Sequence, residues 1–166
     1  MSSKAKMWLT LLIVAALGVG FLFVASRDSR PDDVLVREAL DESIRASKEG
    51  RPGGVLDYIS DSITFNDIPG VQKRDIARMV RENKPEVTLT NQTVTVNGDS
   101  AEIVADVRVV GKIGIGPVST AFDYPLKGVQ MTFRKEDSRK YLIIPSKKWR
   151  LTQVKVGEGL PPDLGL

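Results

Sequence analysis

The chain has 166 residues, with 24 basic and 21 acidic side chains and neither Cys nor His. Without Cys and His there are no disulfides, no thiolate or imidazole metal ligands and no imidazole base, so we expect no metal and no cofactor. Two of the lysines precede a long apolar run. The remainder has 22 basic against 21 acidic residues, a near-neutral balance that argues against nucleic acid as a partner.

The first element is that apolar run. Met7 to Ala25 is a stretch of 19 residues without a charge. As a helix it would be about 28 Å long, close to the roughly 30 Å hydrocarbon core of a bilayer. We therefore predict a short basic N-terminus over residues 1–6, a transmembrane anchor over 7–26 and a linker over 27–32. The anchor residues expected to face lipid or its interface are Trp8, Leu12, Val19, Phe21 and Phe23.

The charges before the run predict its orientation. Lys4 and Lys6, with the N-terminal amine, favour an inside N-terminus, so we expect a single-pass protein of the cell membrane with an extracytoplasmic C-terminal domain. Cleavage of the run as a signal peptide is the alternative. Val24-Ala25-Ser26 offers small residues for that cleavage, which would give a secreted domain.

Three helices are predicted next. Ser29 is expected to cap the first helix, with Pro31 in its first turn, and Gly50 is expected to end it. A short second helix is predicted around Val55 to Ile59. The third is predicted over residues 71–83 and is ended by Pro85. Its residues expected to face inward are Ile76, Met79 and Val80.

The rest of the chain reads as strands. A short strand at Ile63-Thr64-Phe65 precedes a turn at residues 66–70, and from Glu86 the apolar pattern changes to a period of two. The Gly-rich stretch at residues 111–120 is predicted as a loop, and the last strand runs from Trp149 to about Val156. We predict disorder over residues 157–166. Helices followed by a meander of strands indicate an α+β domain over residues 33–156 with a mainly antiparallel sheet.

This pattern resembles the nuclear transport factor 2-like superfamily, which has a cone-shaped, cystatin-like α+β fold and includes SnoaL-like proteins. The resemblance implies that a curved sheet wraps the three helices around a pocket, and that homodimers form through the outer sheet face. It also implies an accessory role in cell-envelope assembly as one function, with an envelope protein as partner. The segments that resemble the superfamily are residues 48–50, 56–65, 94–101, 129–137 and 149–151.

Asp67 is the candidate catalytic residue. The resemblance to ketosteroid-isomerase-like members implies a general base just after the short strand, because their local pattern looks like Thr64-Phe65-Asn66-Asp67. The positions expected to supply an oxyanion hole are Ser43 and Val129, and neither residue type matches. The alternative is that Asp67 simply starts the turn that follows, as Asp often does.

Other candidates have a structural and a functional interpretation. Tyr58, Phe65 and Trp149 are pocket candidates, although aromatic residues at such positions more often belong to the core. Asp106 and Arg108 could form a polar pocket wall or a solvated sheet surface. A stripe of arginines on the third helix could contact anionic lipid or water. The stretch from Gly111 to Gly116 lacks the spacing of a phosphate-binding loop.

Two functions follow from the sequence. The first is a membrane-tethered, non-catalytic binding or assembly module of the cell envelope. The second is an enzyme, ketosteroid-isomerase-like or dehydratase-like, that acts on a small apolar carbonyl compound with Asp67 as base. The enzyme requires Asp67 to point into a closed apolar cavity, whereas the module does not.

Overall fold

A computed structural model describes residues 30–69, 72–115, 118–140 and 144–157. In chain order, it has helices α1 (Asp32–Lys48) and α2 (Pro52–Leu56), strands β1 (Ile59–Phe65) and β2 (Ile68–Pro69), and helix α3 (Lys73–Asn83). Strands β3 (Glu86–Asn97), β4 (Ser100–Ile115), β5 (Val118–Lys140) and β6 (Ile144–Lys155) follow. The predicted α+β class with three helices before the long strands is therefore confirmed. The predicted anchor and the predicted disordered tail beyond Gly157 lie outside the described residues.

Helix α1 has charges that suit both of its ends. Asp32 and Asp33 lie in the first turn and Arg45 and Lys48 in the last, so each sign opposes the partial charge of the helix terminus. Pro31 stands at the N-cap position rather than in the first turn, and the predicted cap Ser29 lies outside the described residues. Gly50 follows the helix with φ +69°, as predicted for a residue that ends a helix.

Helix α3 differs from its prediction at one inward position. Val80 is buried and Ile76 is partly buried against the same cluster, but Met79 is 42% exposed. Met79 was predicted to face inward, and this was wrong because the helix buries only a narrow stripe. The helix ends at Asn83, and the following Lys84 adopts a left-handed conformation before Pro85.

The six strands form one sheet in the order β2-β1-β6-β5-β4-β3. Strand β1 pairs parallel with β6 and antiparallel with β2, and β4 pairs antiparallel with both β3 and β5. The sheet is thus mainly antiparallel, as predicted. Strand β1 begins earlier than the sequence indicated, at Ile59, and its last residue Phe65 is the predicted one.

The stretch predicted as a Gly-rich loop is instead the end of a long hairpin. Strand β4 continues to Ile115 and β5 begins at Val118, so residues 111–115 and 118–120 are paired strands. Gly111 lies opposite Phe122, and a Cβ at Gly111 would approach Phe122 Cζ to 2.5 Å. The glycine therefore makes room for an aromatic ring from the neighbouring strand, a role that its loop-like composition conceals.

The main core lies between α1 and one face of the sheet. Alternate residues of β4 and β5 are buried, from Ala101 to Val107 and from Val129 to Phe133, as a strand with one face on the core requires. Helix α1 contributes Val36, Ala39 and Leu40. A second cluster beneath α2 and α3 consists of Ala46, Val55, Ile59, Ile63 and Val80.

The chain divides into two compact units. The larger takes its described residues from 31–136 and 148–157, and it contains the three helices and both core clusters. The described residues of the smaller unit are Arg30, 137–140 and 144–147. Within the described ranges, no helix is both long and apolar enough to span a membrane.

Candidate functional site

The interior of the larger unit is filled by side chains from the helix and the sheet. Phe133 is 1% exposed and Trp149 is 4% exposed, and both belong to the same cluster as Val36 and Ile103. The Trp149 indole N–H is buried and has no hydrogen-bond partner among the described residues. Apolar side chains from the helix and the sheet therefore meet in one buried cluster.

A polar cluster closes one end of this core. The Lys135 ammonium lies 5.1 Å from the centroid of the Trp149 ring. It also forms ion pairs with Asp32 at 2.9 Å and with Asp99 at 3.8 Å. The lysine therefore joins the start of α1, the β3–β4 turn and β5. The Trp149 ring thus combines core packing with a cation–π contact.

An open depression of about 720 Å³ lies on the outside of α1, next to α2. Its lining includes Tyr58, Gly54 and Arg51. The other lining residues are Glu38, Asp41, Glu42, Arg45 and Asp57. The α1 members are spaced three or four residues apart and so share one helix face. The spacing is visible in the sequence, but a charged helix face is common in proteins and does not by itself indicate a binding site.

The depression contains both acidic and basic side chains, and the acidic ones are in excess. Four acidic side chains and two arginines line it, a net charge of −2. Glu42 forms ion pairs with both Arg45 and Arg51, while no described residue forms an ion pair or hydrogen bond with Asp41. The surface can therefore attract a cationic group and can hydrogen-bond in both senses.

Tyr58 forms the aromatic wall of the depression. Lys148 Nζ lies 4.0 Å from the centroid of its ring and 3.6 Å from an Asp57 carboxylate oxygen. Partial burial raises the pKa of the Tyr58 phenol, and the negative charges of Asp57 and Glu38 raise it further. The phenol consequently stays protonated and can donate a hydrogen bond. Tyr58, predicted as a pocket residue, thus lines an outer surface.

Asp67 occupies a surface turn. Asn66 and Asp67 connect β1 to β2 and both have positive φ, as a two-residue type I′ hairpin turn requires. The Asp67 carboxylate is 65% exposed, accepts a hydrogen bond from Gln153 Nε2 at 2.6 Å and pairs with Lys155 at 3.0 Å. Asp67 therefore does not lie in the closed apolar cavity that the enzyme interpretation requires. The geometry of the turn explains why an Asp stands at this position.

The remaining predicted residues are dispersed. Phe65 packs against the main core. Asp106 and Arg108 lie on the solvated sheet surface, where Arg108 pairs with Asp123 and lowers the pKa of that carboxyl. Hydrogen bonds from the Asn91 side chain and the Gly128 N–H lower the pKa of Asp106. These polar residues stabilise the surface of the sheet and do not wall a pocket.

Arginines on α3 are exposed and partly neutralised. Arg78 pairs with Asp75 at 3.3 Å, and Arg74 lies 3.9 Å from the same carboxylate. Lys73 pairs with Asp61, which lowers the pKa of that carboxyl.

The described residues contain no group of three or more acidic side chains placed to hold a metal ion. The predicted anchor residues Trp8, Leu12, Val19, Phe21 and Phe23 lie outside the described ranges.

No protein-family model and no curated protein sequence matches the chain. Solved structures do match, and several of them are nuclear transport factor 2-like proteins. The chain has the nuclear transport factor 2-like fold. A protein of this type from Rhodospirillum rubrum, of unknown function in nutrient uptake, is 18% identical with a TM-score of 0.56, and the match covers 78% of this chain and 100% of that one.

Two further structures show how varied such proteins are. A candidate dehydratase of this fold from Streptomyces avermitilis is 16% identical with a TM-score of 0.57, covering 78% of this chain and 97% of its own. The CaMKII hub of S. rosetta is also 16% identical, with a TM-score of 0.54 and coverage of 80% and 100%. Sequence identities this low establish only the fold, because proteins with unrelated functions can have the same fold.

Proposed function

We propose that this protein is a membrane-tethered, non-catalytic binding or assembly module of the cell envelope. The observation that supports the non-catalytic part is the buried apolar cluster between α1 and the sheet, in which Phe133, Trp149 and Ile103 are each at most 4% exposed. Asp67 is exposed and paired, so the isomerase-like or dehydratase-like alternative has no enclosed base.

The tether is supported by sequence. The 19-residue uncharged run from Met7 to Ala25 suits a bilayer span, and Lys4 and Lys6 before it favour an inside N-terminus. The domain then lies on the extracytoplasmic side of the cell membrane, at most about seven residues beyond the span. A partner in the same membrane would meet it at high effective concentration.

The depression beside Tyr58 is the surface that we assign to partner binding. It offers an aromatic wall, an excess of acidic groups and the Asp41 carboxylate, with which none of the described residues forms an ion pair. These features suit a cationic segment of an envelope protein, because a lysine or arginine could pair with the acids while its stem packs on the ring. Lys148, which already lies over Tyr58, illustrates that contact within the chain.

Site-specific photo-crosslinking in native membranes tests this function. A photoreactive residue at Asp41 should give a discrete crosslinked band to an envelope protein. The same residue at Glu102, on the sheet face away from α1, is the matched control; it can crosslink two copies of the chain but should give no band to an envelope protein. Equal crosslinking at both positions, or none at either, would contradict the assignment of the depression.

A further inference from the structure

The chain supplies its own cations to the depression that we assign to partner binding. Arg45 and Arg51 pair with Glu42, and Lys148 pairs with Asp57 at 3.6 Å. Two of the acidic side chains that line the depression are therefore already neutralised from within the chain. A cationic segment of a partner must compete with these internal pairs or use the acids that remain.

Lys148 differs from the two arginines in what it contacts. Its ammonium lies 4.0 Å from the centroid of the Tyr58 ring as well as 3.6 Å from the Asp57 carboxylate, whereas the arginines are held by carboxylates. The side chain of Lys148 is 30% exposed, against 65% for Arg45 and 48% for Arg51. Lys148 is thus the internal cation that takes both the aromatic wall and an acid.

The backbone of Lys148 is held beside Tyr58 by its neighbours on β6. Trp149 is buried in the main core, and the Leu151 N–H donates a hydrogen bond to the Tyr58 carbonyl oxygen at 2.8 Å. The two backbone segments that present the ammonium and the ring are therefore joined. Rotation of the Lys148 side chain is enough to break its contact with the ring, and no movement of the strand is needed.

This corner of the depression does not accept a second cation without a cost. Tyr58 also packs against the main core, so a partner that reaches the outward part of the ring meets the Lys148 ammonium there. An ammonium or guanidinium beside Lys148 Nζ would be repelled by its like charge. The partner's cation must therefore displace Lys148 or bind without the ring.

We propose that Lys148 sets the affinity and specificity of the depression by competing with the partner's cation for Tyr58 and Asp57. An isolated ammonium gains nothing by the exchange, because it replaces a contact of the same kind. A segment with a second basic residue gains a pair with Asp41, with which no described residue forms an ion pair. This inference rests on the proposed function, and it adds how the same site selects its partner.

Binding of a synthetic cationic peptide to the full chain in an uncharged detergent tests the competition. The probe is a fluorescent, acetylated pentalysine peptide, followed by fluorescence anisotropy at about 0.15 M salt, where charges more than roughly 8 Å apart are largely screened. Lys148→Met removes the charge and keeps an unbranched side chain, so it should lower the dissociation constant about three- to tenfold. Lys148→Arg keeps the cation and should bind as the unchanged chain does.

Lys155→Met is the matched control. Lys155 lies on the same strand and also pairs with an aspartate, Asp67, at 3.0 Å. It is about 23 Å further along the strand than Lys148, so its removal changes the net charge equally and leaves the depression as it is. The peptide should bind this variant as it binds the unchanged chain. Lys148→Gln repeats the loss of charge with a polar side chain, so the result does not depend on how Met packs.

Asp41→Asn separates the competition from the proposed function. Suppose that Asp41→Asn weakens binding of the peptide, but that Lys148→Met and Lys148→Gln bind no more tightly than Lys155→Met. The competition is then refuted, and the depression remains the cation-binding surface. If Asp41→Asn leaves binding unchanged, or if no variant binds the peptide, the assignment of the depression fails and the competition fails with it.

Discussion

Phe133→Ala measures how completely the interior is filled. Phe133 is 1% exposed and lies on β5 between the sheet and α1. Removing a fully buried phenyl ring from a close-packed core costs about 3–5 kcal/mol in the free energy of unfolding, since lost burial and a residual cavity add together. That is a large part of the roughly 5–15 kcal/mol that stabilises a typical domain.

Urea unfolding followed by circular dichroism provides the assay. With a slope of about 2 kcal/mol per molar urea, the loss would lower the unfolding midpoint by roughly 2 M. The exposed Met79→Ala is the matched control and should change the free energy of unfolding by about 0.5 kcal/mol or less. If Phe133→Ala also costs less than about 1 kcal/mol, the ring borders an open space. That result would leave room for an interior substrate and would count against the proposed non-catalytic function.

Three further predictions concern single positions. Gly111→Ala should lose about 1–3 kcal/mol in urea unfolding because its Cβ meets the Phe122 ring; an unchanged midpoint would show that the ring moves freely. Asn66→Ala should lose about 2 kcal/mol, since it adds strain at positive φ and removes the hydrogen bond from Val156 N–H. Asn66→Gly keeps the turn and should lose less, so equal losses would contradict this reason. The pKa of Asp106 is lowered in the folded chain, so its contribution to stability is present above pH 3.8 and is lost as the pH falls through the folded pKa. Carboxyl NMR titration should place that pKa below 3.8, and Asn91→Ala should raise it.

The spacing of apolar residues predicted most of the fold, because an element that buries one face must repeat apolar residues at its own period. The period-two pattern after Glu86 predicted the long strands, and the buried residues of β4 from Ala101 to Val107 alternate in the same way. Composition was misleading at Gly111, where glycine accommodates the Phe122 ring within a strand. Local pattern also could not show that Met79 lies outside the buried stripe of α3, because that depends on where the helix meets its neighbours.

The candidate site was less accessible to sequence analysis. Asp67 drew attention through its position after β1, but a two-residue turn with positive φ explains an Asn-Asp pair there. Tyr58 was predicted as a pocket aromatic, and it lines an open depression on an outer surface. Its neighbours across the depression come from α1 and from Lys148, which are distant in sequence and meet only through the fold.

The central claim is that the domain is tethered in a membrane beside envelope partners. The most direct measurement is mild crosslinking in native membranes, with mass spectrometry of the partners and of the protein's own N-terminus. A tethered module should keep an N-terminus that contains Lys4 and Lys6, remain in the membrane fraction and crosslink repeatedly to envelope partners. An N-terminus at Arg27 in the soluble fraction, without partners, would contradict it and indicate a secreted domain.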